Sequence, residues 1–212
     1  MEAVRALIPE ELSVDTFEGR AYVGVVPFTM RDVRPSWSPS VPGISNFHEL
    51  NVRTYVHYRD REPGVWFFSL DAAGTIAVLA ARAGWGLPYF RASMDLSVQN
   101  NDVHYRSVRR WPSPKPADFE CNYRIGKELG PAIPGTFEHF LAERYILYTK
   151  RKGGKLLSGR VHHKPYPLWS AEVLNVKQNM VEAAGLPQSD EAPLVLYSPG
   201  VDVDIFDLKP IE

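Results

Sequence analysis

The chain has one cysteine, Cys121, in 212 residues. That excludes an internal disulfide and a thiolate zinc cluster, and it fits a reducing compartment. It also has no surplus of either charge. With 24 Lys+Arg against 25 Asp+Glu, no global field draws in nucleic acid or anionic lipid. No stretch of about 18 apolar residues exists to span a bilayer. The opening MEAVRALIPEEL carries acids where a signal peptide needs a long apolar stretch. Internal repeats and low-complexity tracts are missing, and KRKGGK is a basic hairpin without the helix that would cradle a phosphate. Together these absences predict a cytoplasmic chain with neither a membrane nor a nucleic-acid partner.

What is present is enough for one domain: 44% of the residues are hydrophobic, and single β-rich domains reach this length. Eighteen prolines and fifteen glycines punctuate runs of aromatic and β-branched residues, a pattern of many short strands. The expected strands are Leu12–Glu18, Ala21–Met30, Leu50–Tyr58, Val65–Asp71, Tyr89–Val98, Asp102–Arg110, Phe119–Ile125, Tyr145–Arg151, Lys155–His162, Leu194–Tyr197 and Val201–Asp207. FEGR, RDREPG, QNND and RKGGK read as hairpin turns between them. Helices are expected over Ala72–Gly84, Phe137–Glu143 and Val176–Ala184. The fold class is therefore α+β, mainly antiparallel β: a curled sheet around a core, with a few flanking helices.

One strand stands out for its polarity. Side chains alternate on a strand, so Glu49, Asn51, Arg53, Tyr55 and His57 share one face while Leu50, Val52, Thr54, Val56 and Tyr58 share the other. A solvated edge would carry Lys, Thr and Glu, whereas this face mixes groups that hydrogen-bond in fixed directions. A polar pocket would use that set. Residues four apart on a strand are roughly 13 Å apart, so Glu49 and Arg53 cannot clasp each other. The next segment, GVWFFSLDAAG, places Val65, Phe67, Ser69 and Asp71 on one face by the same alternation, and Trp66, Phe68 and Leu70 on the other. Asp71 either caps the following helix or, with Ser69, completes the pocket.

The order of ALIPEEL, TFEGRAYVGVVPF, FHELNVRTYV, GVWFFSLDA, GLPYF, ERYILYT, VHHKPYPLW and GLPQ…PLVLYSPGVDVDIF resembles the YqjF-like DUF2071 family of uncharacterised proteins, over essentially the whole chain. That family resembles acetoacetate decarboxylase in fold, which implies a curved β-barrel or cone around a partly enclosed pocket. The resemblance puts Glu49, in Phe47-His48-Glu49, where the decarboxylases place an active-site carboxylate. It puts Tyr89 and Phe90, in Gly86-Leu87-Pro88-Tyr89-Phe90, where they carry a lysine pair that forms a Schiff base. Neither residue can form an imine, and the guanidinium of the neighbouring Arg91 is not a nucleophile. Family members also carry a preceding aromatic segment with His-Trp-Pro. Its absence here leaves open a barrel with one strand fewer or a different start of the chain.

Other chemistry is poorly supported by spacing. The eight lysines, at 115, 127, 150, 152, 155, 164, 177 and 209, sit in turns or beside other charges. The six histidines lack His-x-His or His-x-x-x-His spacing, so no metal site is expected, and His162-His163 should end a strand with one ring packed and one wet. Arg106, Arg109 and Arg110 lack the aromatic repeats of a nucleic-acid binder. The expected site therefore has Glu49 as acid or base, Tyr89 as hydrogen-bond donor and Arg53 as anion anchor. Asn51, Tyr55, Ser69, Asp71, Arg91, Trp66 and Phe68 hold the ligand, a carboxylate or carbonyl compound. No cofactor is implied. Either catalysis or ligand binding alone fits these groups, and exposed sheet edges add an expectation of homo-oligomers.

Overall fold

The computed structural model describes residues 1–33, 45–75, 78–79, 82, 86–112, 116–150 and 153–211, apart from the side chain of Arg61. The elements run α1 (Glu2–Arg5), β1 (Leu12–Val14), β2 (Val23–Met30), β3 (Phe47–Tyr58), β4 (Arg61–Ala72), β5 (Tyr89–Gln99), β6 (Asp102–Trp111), β7 (Asp118–Pro131), α2 (Phe137–Ala142), β8 (Ile146–Lys150), β9 (Leu156–His163), β10 (Pro167–Gln178), α3 (Met180–Ala183), β11 (Leu196–Tyr197), β12 (Val203–Ile205) and β13 (Lys209–Pro210). Among the described residues, no helix is long and apolar enough to cross a membrane.

The thirteen strands form one mixed sheet that does not close, with order β11-β10-β7-β6-β5-β4-β8-β9-β12 and with β3 on the other side of β4. The expected barrel is thus an open, forked sheet. The reason lies in β4. Leu70, Asp71 and Ala72 at its end pair in parallel with Tyr89, Phe90 and Arg91 of β5, while Val65 and Trp66 pair in parallel with Leu147 and Tyr148 of β8. A strand that feeds two branches sends the sheet apart instead of around. The remaining strand pairs are antiparallel; RDREPG and QNND join β3 to β4 and β5 to β6 as expected, whereas FEGR closes only an isolated Phe17–Arg20 bridge, because β1 and β2 both pair with β3.

A second departure sets the site. Partners directly opposite in a ladder point to the same face. Asn51 pairs with Leu70 and Val52 with Ser69, but Arg53 pairs with Phe67, so β4 carries one extra residue there. The bulge breaks the simple alternation read from the sequence. Phe67, Leu70 and Ala72 share the face of Glu49, Asn51, Arg53 and Tyr55, whereas Ser69 and Asp71 fall on the face of Leu50 and Val52.

The core follows this division. Leu50 and Val52 pack with Tyr105, Phe119, Cys121 and Met180, and Phe68 adjoins them. Val56, Ile146, Tyr148 and Leu156 form a neighbouring cluster that Trp66 and Phe68 join. On the opposite face Tyr55, Val65, Leu70, Leu87, Phe140 and Leu147 pack with Phe67 and Tyr89.

The remaining differences are local. Strand β10 is twelve residues long where no strand was expected; Pro167 occupies its first position, where a missing N–H does no harm. The helix expected over Val176–Ala184 shrinks to α3, since Val176, Lys177 and Gln178 pair with β7 instead. Of the helix expected over Ala72–Gly84, Ala72 ends β4, residues 75, 78, 79 and 82 are helical, and 76–77, 80–81 and 83–84 lie outside the described residues. Strand β9 ends at His163, which is buried while His162 is exposed.

Candidate functional site

Glu49 sits within β3, flanked across the sheet by Phe28 of β2 and Ala72 of β4. Its side chain is 2% exposed. The parallel junction of β4 and β5 brings Tyr89 beside Leu70, itself opposite Asn51, and the Tyr89 hydroxyl donates to Glu49 Oε2 at 3.1 Å. Burial pushes the Glu49 carboxyl from its ordinary 4.5 up to about 8; the Tyr89 hydrogen bond pulls it down a little and the charge of Asp71 pushes it up. Burial, and then the charge of Glu49, also raise the Tyr89 phenol well above its usual range. Near neutral pH burial favours the protonated form of both groups, a carboxylic acid beside a phenol.

The rest of the polar face runs along β3. Asn51 is 4% exposed, and its Oδ1 has no hydrogen-bond partner among the described residues. Arg53 donates from Nη2 to the Leu141 carbonyl at 3.1 Å, while its buried Nε has no acceptor among those residues. Gly24 lies opposite Arg53 on β2, so no side chain crowds the guanidinium from that strand. The Tyr55 hydroxyl donates to the same Leu141 carbonyl at 3.3 Å, and its ring lies tilted by 42° against Phe140, centroids 4.8 Å apart. Arg91 lies beside Ala72 and so on this face; its Nε donates to Thr75 Oγ1 at 3.0 Å, and its buried Nη1 has no partner among the described residues.

Asp71 neither caps a helix nor reaches this face. It is fully buried on the other side of the sheet, where Arg109 Nε and Nη2 donate to its two carboxylate oxygens at 2.7 Å each. The Arg109 guanidinium also lies 3.9 Å over the Phe90 ring. Burial raises the Asp71 carboxyl, and Arg109, then Ser69, draw it back down. Ser69 stays with Asp71, while Trp66 and Phe68 belong to the core clusters. Sequence reading grouped Arg109 with Arg106 and Arg110 and missed its role; the available signal was that Arg109 lies on the opposite face of its strand from both neighbours' outward side chains, Arg106 and Arg110 being exposed.

An open cavity of about 580 Å³ adjoins the start of β3, lined by Thr29, Arg31, Asp32, Asn46, Phe47, His48, Ala73 and Gly74. Glu49 directly follows one of its lining residues. His48 is held there by Thr29 Oγ1 at 3.0 Å from Nδ1, and burial lowers its pKa, with Asp95 opposing. Of the lysines, 115 and 152 lie outside the described residues; 127, 155, 164, 177 and 209 are exposed, and Lys150 pairs with Glu11.

Comparisons with known proteins give the family and the fold. A model of uncharacterized conserved proteins, DUF2071, matches residues 1–202. The chain belongs to the DUF2071 family. It is 36% identical over 206 residues to the uncharacterized protein YqjF of Bacillus subtilis (strain 168), covering 97% of this chain and 84% of that one. The DUF2071 chain is similar in fold to solved acetoacetate decarboxylases and a relative of theirs. The match to acetoacetate decarboxylase of Legionella pneumophila has a TM-score of 0.51 at 17% identity, over 98% of this chain and 76% of that one. The match to an acetoacetate decarboxylase-like enzyme of Sphingomonas wittichii RW1 has a TM-score of 0.60 at 12% identity, over 100% and 86%.

Proposed function

We propose that this DUF2071 protein is a small-molecule enzyme that binds a carboxylate or carbonyl compound on the Glu49 face. On this reading it acts by proton transfer at Glu49, without imine chemistry. The carrying observation is the buried Glu49 carboxyl, lifted to about 8 and hydrogen-bonded by Tyr89. A general acid or base works best when its pKa lies near the working pH, and a carboxyl kept neutral by burial costs stability that a purely structural site would avoid. Tyr89 orients that carboxyl, and Arg53 or Arg91 attracts the ligand's anion. The named acetoacetate decarboxylases lend the fold alone; the motif resemblance is what likens Phe47-His48-Glu49 to their carboxylate segment. They do not lend the reaction, because the same resemblance puts Tyr89 and Phe90 where those enzymes carry a lysine pair.

The test has two arms. Infrared or carbon-13 titration of Glu49 should give a pKa near 8; a value near 4.5 overturns the reading. For any compound that raises the melting temperature, Glu49→Gln should keep binding and lose turnover. Binding without turnover in the wild type would identify a non-catalytic ligand-binding protein instead.

A further inference from the structure

We infer that the ligand of this face is an extended dicarboxylate, one carboxylate held by Arg53 and the other by Arg91, with its chain lying across Asn51 and Glu49. The inference rests on the proposed use of the Glu49 face and goes beyond it in naming the ligand's charge and length.

Among the described residues, four guanidiniums are drawn at least partly into the protein: Arg53, Arg91, Arg109 and Arg144. Two of them are matched, Arg109 with Asp71 at 2.7 Å and Arg144 with Asp15 at 2.7 Å. Arg53 and Arg91 form no ion pair among the described residues. Their bonds go to neutral acceptors, the Leu141 carbonyl and the Thr75 hydroxyl. Each retains a buried N–H, Nε of Arg53 and Nη1 of Arg91, with no acceptor among those residues.

Buried donors are nearly always satisfied in native proteins, and buried charges are paired. Glu49 offers no negative charge near neutral pH. Glu143, close to Leu141 in the chain, already accepts from the Tyr145 hydroxyl and the Tyr166 N–H. Arg53 and Arg91 are thus two cations with no carboxylate at ion-pair distance among the described residues, and the complement of that pattern is a dianion.

Spacing sets its length. Arg53 lies four residues from Glu49 along β3, roughly 13 Å. Arg91 lies in the row of Glu49, two strands away through Ala72, roughly 10 Å. The two guanidiniums are tethered to separate segments, one to Leu141 of α2 and one to Thr75 beyond β4. A short keto acid touches one of them; an extended chain with a carboxylate at each end touches both. Between them the unpartnered Oδ1 of Asn51 suits a hydroxyl on that chain.

Isothermal calorimetry at low salt with succinate, adipate, suberate and octanoate tests this. Suberate should bind about ten-fold or more tightly than octanoate, its singly charged counterpart, and more tightly than succinate. Arg53→Gln and Arg91→Gln should each remove that advantage. Because neither substitution strands a carboxylate, neither should lower the melting temperature, a readout that a hidden counter-ion would move. Equal affinity for suberate and octanoate, indifference of suberate to both variants, or absence of heat from all four acids overturns the dicarboxylate. If Glu49 still titrates near 8 in that case, the wider reading of the face stands; a Glu49 pKa near 4.5 removes both.

Discussion

Glu49 couples the stability of this protein to pH in an unusual direction. An exposed glutamate titrates near 4.5, and in the fold Glu49 titrates near 8. Between those values the unfolded chain has released a proton that the native state keeps, so stability falls as pH rises through this window and levels off above it. At about 1.4 kcal/mol per pH unit between the two pKa values, the penalty grows to several kcal/mol. Glu49→Gln keeps the shape and removes the ionisation. Urea unfolding should show the variant equal to wild type near pH 4.5 and increasingly more stable toward pH 9; a constant difference across that range would contradict a buried neutral carboxyl. Tyr89→Phe, which deletes the hydroxyl that donates to the Glu49 carboxyl, should raise the Glu49 pKa further, as its loss removes a stabiliser of the carboxylate.

Strand β4 is the element on which the site depends. Its bulge turns Ser69 and Asp71 away from Glu49, and its last three residues carry β5 alongside, so Tyr89 and Arg91 arrive on the polar face. The Asp71–Arg109 pair, with Phe90 under the guanidinium, clamps this junction from behind. Arg109→Met leaves an uncompensated buried carboxylate and should cost about 3–5 kcal/mol, whereas Asp71→Leu combined with Arg109→Met should recover most of it. A double-mutant cycle by chemical denaturation measures the difference. At the other branch, Gly64 faces β8 so closely that a Cβ would lie 2.5 Å from the Ile146 carbonyl and 2.8 Å from Tyr148 Cε2. Gly64→Ala should therefore destabilise by about 1–3 kcal/mol, because backbone must give way.

At the scale of the whole molecule, the sheet forks and stays open, and the described lysines lie on its outside or in a pair with Glu11. Fold likeness to acetoacetate decarboxylase therefore arrives without an amine at the polar face among these residues. Treatment with acetoacetate or other keto acids and borohydride should leave the protein mass unchanged. A reduced adduct would show that a lysine reaches the site after all.

Much of this was legible in the sequence. Proline and glycine punctuation marked most strands within a few residues, and Thr136 starts α2 as a side-chain cap where the helix was expected. The polar alternation on β3 was readable because a period of two needs only the strand itself. The chain order of motifs pointed to the family and to the absent lysine pair. Three things were decided only by tertiary structure. The bulge in β4 depends on which residues of two strands face each other, so it reversed the side on which Ser69 and Asp71 fall. The pairing of Asp71 with Arg109 joins residues 38 apart; strand alternation separates Arg109 from Arg106 and Arg110 but does not say which carboxylate it meets. The lifted Glu49 carboxyl needs neighbouring strands to exclude water, and burial is a property of the assembled sheet that no residue carries alone.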